Sequence, residues 1–284
     1  MGTYFAIVTC RNSQETISEA LDSIKGQTIP PEYVIVVDDG STDKTAAILE
    51  NIRKQWLILY VIKNPDLGYD ISRVVQNWNR ALKKSRELGK PVADYHMIAT
   101  DDTIYSRDYA EKVISYLDSN PSIAIASGSY SRHKHVMPHG AGRFVRTSFF
   151  QRTAWNDLYP EQMGYESAIL YEAKRRHYSS KVIADAKFEH LRPLGKSHKF
   201  YEFGASMRTL GYHPLFALGR FSKYFITGDI TGRLGAAYML YYYLTYTPKS
   251  VGYDRMYDYN IRKSIRDYQI QRIKSIITKP RKNK

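Results

Sequence analysis

Cysteine is almost missing from this chain of 284 residues: Cys10 stands alone, so no intrachain disulfide can form and no thiolate metal cluster can be built. Such usage fits a reducing compartment. A membrane-spanning run is missing too. The window Leu234–Pro248 is uncharged for 15 residues, short of the roughly 20 needed to cross a bilayer. The opening MGTYFAIVTCRN has an apolar run of strand length with no basic leader, so a secretory signal is not expected and the start reads as a mature one. After that run comes TCRNSQ rather than a glycine-rich loop. The G-x-G-x-x-G of a dinucleotide-dependent oxidoreductase is therefore absent, as is the phosphate loop of a sugar nucleotidyltransferase. Repeats and low-complexity tracts are lacking as well.

What remains is ordinary globular composition, 43% hydrophobic and 25% charged, long enough for one large domain or two modest ones. The net charge of +14 is unevenly spread. Residues 1–124 carry 14 Lys and Arg against 17 Asp and Glu, whereas residues 125–284 carry 28 against 11. A basic half of this kind attracts a polyanion, whether nucleic acid, an anionic membrane surface or a phosphorylated substrate. Of the 25 tyrosines, 12 lie beyond residue 200. Tyrosine with Lys and Arg suits a membrane interface, and stacking on RNA bases would use the same residues. Composition leaves both open.

The first 124 residues alternate short apolar runs with helical periods. Strands are predicted at Tyr4–Thr9, Tyr33–Val37, Leu57–Ile62 and Tyr95–Thr100. Between them Ile17, Ala20, Leu21 and Ile24 mark a helix capped by Asn12 with Glu15, Ala46, Leu49 and Ile52 one capped by Thr42, and Val74, Val75, Trp78, Ala81 and Leu82 a third. Tyr109, Val113 and Leu117 mark the next, before Pro121. This βαβαβαβ order predicts an α/β fold, a Rossmann-like, mostly parallel sheet flanked by helices, with ligands at the carboxyl ends of the strands. Three polar clusters fall at such ends: TCRN at Thr9–Asn12, DDGSTD at Asp38–Asp43 and TDDT at Thr100–Thr103. Taken singly each is turn and capping chemistry. Two carboxylate pairs on one edge, however, repel one another and need donors or a cation, and hard oxygen ligands suit a divalent ion on a pyrophosphate.

Beyond residue 124 the pattern loosens. Ile123–Ser127, Phe144–Phe150 and Lys181–Ala184 read as strands, and Ile169, Leu170 and Ala173 as a helix. His133, His135 and His139 have no metal-ligand register and are taken as acceptor-loop residues. Past residue 200 the chain is helical and aromatic. Leu234–Pro248 is either core or membrane-lying, and Ile261, Ile265, Tyr268, Arg272 and Ile276 share one helix face ahead of the basic ending KPRKNK, as an amphipathic anchor or a solvated basic helix.

The set VTCRN, SIKGQT, VIVVDDGSTD, IATDDTIYSRDY and MGYESAIL, over roughly residues 4–190, resembles the family 2 inverting glycosyltransferases, which have the GT-A fold. The resemblance implies transfer of a sugar from a nucleotide-diphosphate sugar by metal-assisted single displacement. It places Thr9, Arg11 and Asn12 at the nucleotide, with Arg11 standing where an aromatic residue is common and able to reach a phosphate. It makes Asp39 the acceptor for the N3–H of a uracil-like base, and leaves Asp38 to orient its loop. Asp101 would approach the ribose or phosphates, Asp102 would ligate Mg²⁺ or Mn²⁺, and His190 would join the ion or the diphosphate, with Arg192 gripping a phosphate. Arg73 is expected to face the donor. Glu166 is the candidate catalytic base, although Ser167 stands where the family often has Asp.

The expected organisation is a GT-A domain over 1–200, with a nucleotide-sugar half at 1–124 and an acceptor half at 125–200, followed by a helical, basic and aromatic C-terminal region at 201–284 available for membrane-surface attachment. The partners implied are a UDP-sugar donor, a lipid-linked or glycan acceptor and an anionic membrane surface, with cytoplasmic, peripheral localisation and no nucleic acid. The rival readings are a basic nucleic-acid-binding α/β protein, for which strand-end acidic pairs would repel phosphate, and a sugar nucleotidyltransferase.

Overall fold

In a computed structural model the described residues are 1–130, 137–192, 200–228 and 232–277. His133, His135 and the ending KPRKNK lie outside them. The chain divides into two compact units, Met1–Pro160 with Arg176–Leu194, and Glu161–Arg175 with Gly195–Lys284.

The first unit is built on one sheet. Its elements are β1 (Tyr4–Cys10), α1 (Ile17–Lys25), β2 (Val34–Asp38), α2 (Thr45–Gln55), β3 (Leu59–Lys63), α3 (Ser72–Glu87), β4 (Tyr95–Thr100), β5 (Thr103–Tyr105), α4 (Tyr109–Ser119), β6 (Ile123–Tyr130), β7 (Arg143–Arg146), α5 (Thr147–Phe150) and β8 (Ser179–His190). The eight strands run in the order β3-β2-β1-β4-β7-β6-β8-β5. Strands β1 to β4 are parallel to one another where they pair, β6 pairs β8 in parallel, and β7 and β5 join antiparallel, so the sheet is mixed and mostly parallel. β1 and β2 read YFAIVTC and VIVVD and are buried almost throughout, the continuous apolar pattern of strands covered on both faces. α1 turns Ile17, Ala20, Leu21 and Ile24 inward at helical spacing, and Leu49 of α2 joins the same core.

Several local expectations give way. Neither Asn12 nor Thr42 caps a helix. Asn12 has φ of 50°, a left-handed conformation that asparagine tolerates, and its Oδ1 accepts from the Thr42 backbone N–H at 2.8 Å. α1 begins at Ile17, and the donor nearest the start of α2, Thr45 N–H, goes to Asp43 Oδ1 at 2.9 Å. Phe144–Phe150 is not one strand. β7 ends at Arg146, where Thr147 hands its N–H to Asp94 O and its hydroxyl to Ala93 O, and the buried pair Phe149 and Phe150 sits in the short α5. An apolar run this short has no period that separates strand from helix. β8 extends well past Lys181–Ala184, and β5 was not anticipated at all.

The second unit is helical: α6 (Tyr165–Arg175), α7 (Tyr201–Thr209), α8 (Pro214–Thr227), α9 (Gly232–Thr245) and α10 (Tyr259–Ile277). Gly204 lets α7 press on α9, since a Cβ there would lie 2.7 Å from Tyr242 Cβ. The interior is tyrosine-rich, and hydroxyls in it bond to one another and to backbone: Tyr171 donates to Tyr212 Oη and Tyr243 to the Tyr212 carbonyl, both at 2.9 Å. Ile261 and Ile265 of α10 are buried. The apolar face assigned to an anchor is thus turned inward. Leu234–Pro248 is divided: Ala236, Met239 and Tyr243 are core, whereas Leu234, Tyr238, Tyr241 and Leu244 are exposed. No described helix is long and apolar enough to cross a membrane.

Candidate active site

Strand pairing sets the site. β1 lies between β2 and β4, with Cys10 opposite Asp38 and Thr9 opposite both Val37 and Thr100. Asp38–Asp39 and Asp101–Asp102 therefore leave the sheet on either side of the β1 carboxyl end, two inter-strand spacings or about 10 Å apart. The buried Cys10 thiol registers this convergence. Its pKa is pushed well up by burial and then by the charges of Asp38, Asp101, Asp43 and Asp39.

Within DDGSTD the two aspartates do different work. Asp38 Oδ1 accepts the Ser41 N–H at 2.9 Å and its hydroxyl at 2.6 Å, so it shapes the loop, as expected. Gly40 permits the turn: it has φ of 71°, and a Cβ there would lie 2.6 Å from Pro65 O and Asp66 Cα. Asp39 points to α3. Arg73 Nε lies 3.1 and 3.0 Å from its two oxygens, the guanidinium also makes a 2.9 Å ion pair, and Asn64 Nδ2 donates at 3.1 Å. Burial alone would raise the Asp39 carboxyl pKa, but Arg73, Asn64 and Asn77 hold it below its usual value. Asn64 in turn donates to Asn77, a buried polar residue on α3, at 2.8 Å.

Arg11 bridges two strand-end loops. It donates to the carbonyls of Asp39 and Gly40 and makes a 2.6 Å ion pair with Asp66. Arg11, expected to be able to reach a phosphate, braces the DDGSTD loop here. Asn12 holds the DDGSTD loop through Ser41 and Thr42. Thr9, one residue before the end of β1, lies opposite Thr100.

The second acidic pair is split electrostatically. Asp101 accepts the Ser13 hydroxyl, and Arg192 lies 3.7 Å away. Burial nevertheless raises its pKa, with Asp102 adding to the effect against Ser13 and Arg192. Asp102 goes the other way. Burial would raise its pKa too, but His190 and Thr100 outweigh this and hold it low. Strand β5 explains the His190 contact, because the antiparallel β5–β8 ladder sets Thr103 opposite His190. His190 Nδ1 lies 3.0 Å from Thr103 Oγ1 and 3.4 Å from Asp102 Oδ1. Its Nε2 is buried and has no hydrogen-bond partner among the described residues.

These groups bear on a divalent cation. No cluster of three or more His, Cys, Asp or Glu side chains suited to a metal exists among the described residues. Mg²⁺ and Mn²⁺ on nucleotides are commonly held by one or two carboxylates plus phosphate oxygens, so a full protein cage is not required. Asp102 is held ionised, and the His190 ring is fixed through one nitrogen while the other lacks a partner, the arrangement of a supported imidazole ligand. The donor set fits such an ion.

The structure thus gathers Thr9, Arg11, Asn12, Asp39, Arg73, Asp101, Asp102 and His190 in the first unit, at or beside the carboxyl edge of its sheet. Glu166 is in the first turn of α6, in the second unit. His139 packs against His190, with ring centroids 5.4 Å apart. Sequence reasoning missed Ser13, Asn64, Asp66 and Asn77. Asn64 and Asp66 follow β3 and obey the same strand-end rule as the others, and Asn77 was visible as a polar interruption between Val74, Val75 and Trp78.

The profile of glycosyl transferase family 2 matches residues 5–172. The O-antigen chain rhamnosyltransferase RfbN of Salmonella typhimurium is 30% identical over 132 residues, which cover 46% of this chain but only 38% of that protein. The chain aligns with little more than a third of that relative's length. The mannosyltransferase PcManGT of Pyrobaculum calidifontis, solved with GDP-Man and Mn²⁺, superposes with a TM-score of 0.58 at 15% identity, covering 98% of this chain and 88% of that one. S. aureus TarS residues 1–349, solved with UDP-GlcNAc, gives a TM-score of 0.55 at 19% identity, with coverage of 85% and 71%. At such identities the likeness is one of fold.

Proposed function

The chain belongs to glycosyl transferase family 2, and from that premise we propose that this glycosyltransferase inverts configuration while moving a sugar from a UDP-sugar to a hydroxyl of a lipid-linked or glycan acceptor. The observation that carries the reading is the pairing of β1 with both β2 and β4, which sets Asp39 and Asp102 on opposite sides of one strand end.

The base preference follows from lone pairs. A carboxylate offers about four acceptor sites, and Arg73 with Asn64 makes four contacts with the two oxygens of Asp39. The Arg73 Nε hydrogen is shared between both oxygens, and yielding one half of that shared contact admits a base with a single ring N–H, which describes uracil and its 5-methyl analogue. Guanine would present a second donor with nothing to receive it, which is unfavourable in a buried site. Thr9 and Asn12 line the nucleotide, Arg11 keeps the loop in place, and Asp101 meets the ribose or phosphates. Asp102 with His190 would hold Mg²⁺ or Mn²⁺, which when bound offsets the charge growing on the departing diphosphate. Arg192, beside Asp101, is placed to add a guanidinium to the same phosphates.

Glu166 takes the proton from the acceptor hydroxyl as its oxygen bonds to the anomeric carbon. The bond from that carbon to the diphosphate oxygen breaks, and the nucleotide leaves with the electron pair. The enzyme works peripherally at the cytoplasmic face of a membrane, with its basic, tyrosine-rich second half toward the lipid-linked acceptor. Thermal-shift measurements with UDP-, dTDP- and GDP-sugars, with and without Mn²⁺, test the donor. A shift specific to the pyrimidine nucleotides and enlarged by Mn²⁺ is expected. A GDP-sugar preference, or no response to any nucleotide sugar, overturns the reading.

A further inference from the structure

We propose that the helix pair α8–α9 is the surface that lies on an anionic bilayer. This rests on the peripheral-membrane reading above and assigns the attachment to a specific helix pair rather than to α10.

The second unit leaves a set of large apolar side chains uncovered on α8 and α9. On α8, Leu215 is 61% exposed and Ile226 73%, with Leu218 and Phe225 also open to solvent. On α9, Leu234 is 69% exposed and Leu244 65%, with Tyr238 and Tyr241 between them. At 100° per residue each set falls on one side of its helix, so each helix carries an apolar stripe opposite the face it buries through Ala217, or through Ala236, Met239 and Tyr243. The two helices pack on each other. A stripe of leucine, isoleucine and phenylalanine with tyrosines beside it matches the apolar side of helices that lie in the interface plane.

Charge identifies the occupant. Neither α8 nor α9 contains Asp or Glu, whereas Lys223 and Arg233 are exposed on them. In a two-fold contact between copies of this chain the same patch would meet itself, setting like charges together with no carboxylate in either helix to pair them. Lipid phosphates complement the same patch. α10 is the weaker candidate because Ile261 and Ile265 are spent on the interior.

The test is co-sedimentation of the full chain with vesicles of phosphatidylcholine alone or mixed with phosphatidylglycerol. Wild type should bind the anionic vesicles, and less at high salt. Leu218→Glu with Tyr241→Glu should weaken that binding on the order of tenfold or more. The milder pair Leu215→Ser and Leu234→Ser should act in the same direction if the first proves unstable, with helical circular dichroism as the folding check. Lys263→Glu on α10 should change binding by about twofold at most. Wild type that ignores both vesicle types removes the membrane reading as a whole. Wild type that binds while both α8–α9 variants bind equally well removes only this face. A wild-type dimer that the variants disperse, without vesicle binding, assigns the stripes to a second copy and overturns the proposal.

Discussion

Removing the Arg73 guanidinium should strand the Asp39 carboxylate. The two side chains are 14% and 11% exposed, between the exposed pairs worth at most about 1 kcal/mol and the buried pairs whose rupture costs about 3–5 kcal/mol. Asn64 still donates to Asp39 in the variant, so Arg73→Ala should destabilise the first unit by about 2–3 kcal/mol. Arg73→Lys keeps the charge but loses the planar fork that spans both oxygens, and should recover less than half of this. Urea unfolding followed by tryptophan fluorescence suits the measurement, because Trp56, Trp78 and Trp155, the only tryptophans, all lie in the first unit.

The pH dependence has a fixed sign. The folded Asp39 pKa is below its unfolded value, so its stabilising contribution is complete above about pH 4 and is lost as pH falls through the folded pKa. The gap between wild type and Arg73→Ala should stay constant from about pH 8 to pH 5 and close below about pH 4. In a cycle with Asp39→Asn, the two substitutions should be strongly non-additive. A gap under about 0.5 kcal/mol at neutral pH, or one that persists undiminished at pH 3, refutes the coupling.

Asp102→Asn should leave urea stability near wild type and abolish the Mn²⁺-dependent part of the donor thermal shift; an unaltered Mn²⁺ response would take Asp102 out of the metal role. Glu166→Gln should preserve donor binding while transfer, followed as nucleotide release in the presence of acceptor, falls by about two orders of magnitude or more. Transfer at the wild-type rate would take Glu166 out of the base role and return it to that of a favourable charge in the first turn of α6. Gly40→Ala should cost more than about 2 kcal/mol, since both the left-handed backbone and the contact with Pro65 and Asp66 oppose a Cβ. A stable Gly40→Ala variant would mean that the 65–66 loop yields easily.

The chain order of the first unit was readable because β1, β2 and β4 are unbroken apolar runs closed by polar strand ends, and each helix between them keeps a clear apolar period. The carboxylate pairs were readable for the same reason. Their partners were not. Arg73 was nominated without its contact to Asp39, and Ser13, Asn64 and Asn77 look like ordinary turn or helix residues until pairing brings them to a carboxylate. His190 was found by resemblance, yet its contact with Asp102 depends on β5, three residues long and below what periodicity can detect. In the second unit, 3.6-residue spacing showed that α10 is amphipathic but could not say whether its apolar face meets lipid or the neighbouring helices. Packing decided that in favour of the interior.

Charge at the sheet edge bears on the cation directly. Asp38, Asp39, Asp43, Asp66, Asp101 and Asp102 sit at or beside the ends of β1, β2, β3 and β4, and the guanidiniums paired with them are Arg11, Arg73 and Arg192. Carboxylates outnumber guanidiniums two to one. The nucleotide-diphosphate sugar proposed as donor would add about two negative charges to that edge, which the protein alone would oppose. Three of the carboxylates have clear local duties: Asp38 holds Ser41, Asp43 holds the start of α2 and Asp66 holds Arg11. Asp102 is kept ionised beside a histidine whose second nitrogen has no partner among the described residues. The acidic surplus is therefore concentrated where a divalent ion can neutralise it, and donor affinity should rise steeply with Mn²⁺ concentration; equal UDP-sugar affinity in chelator and in Mn²⁺ would show that the arginines suffice.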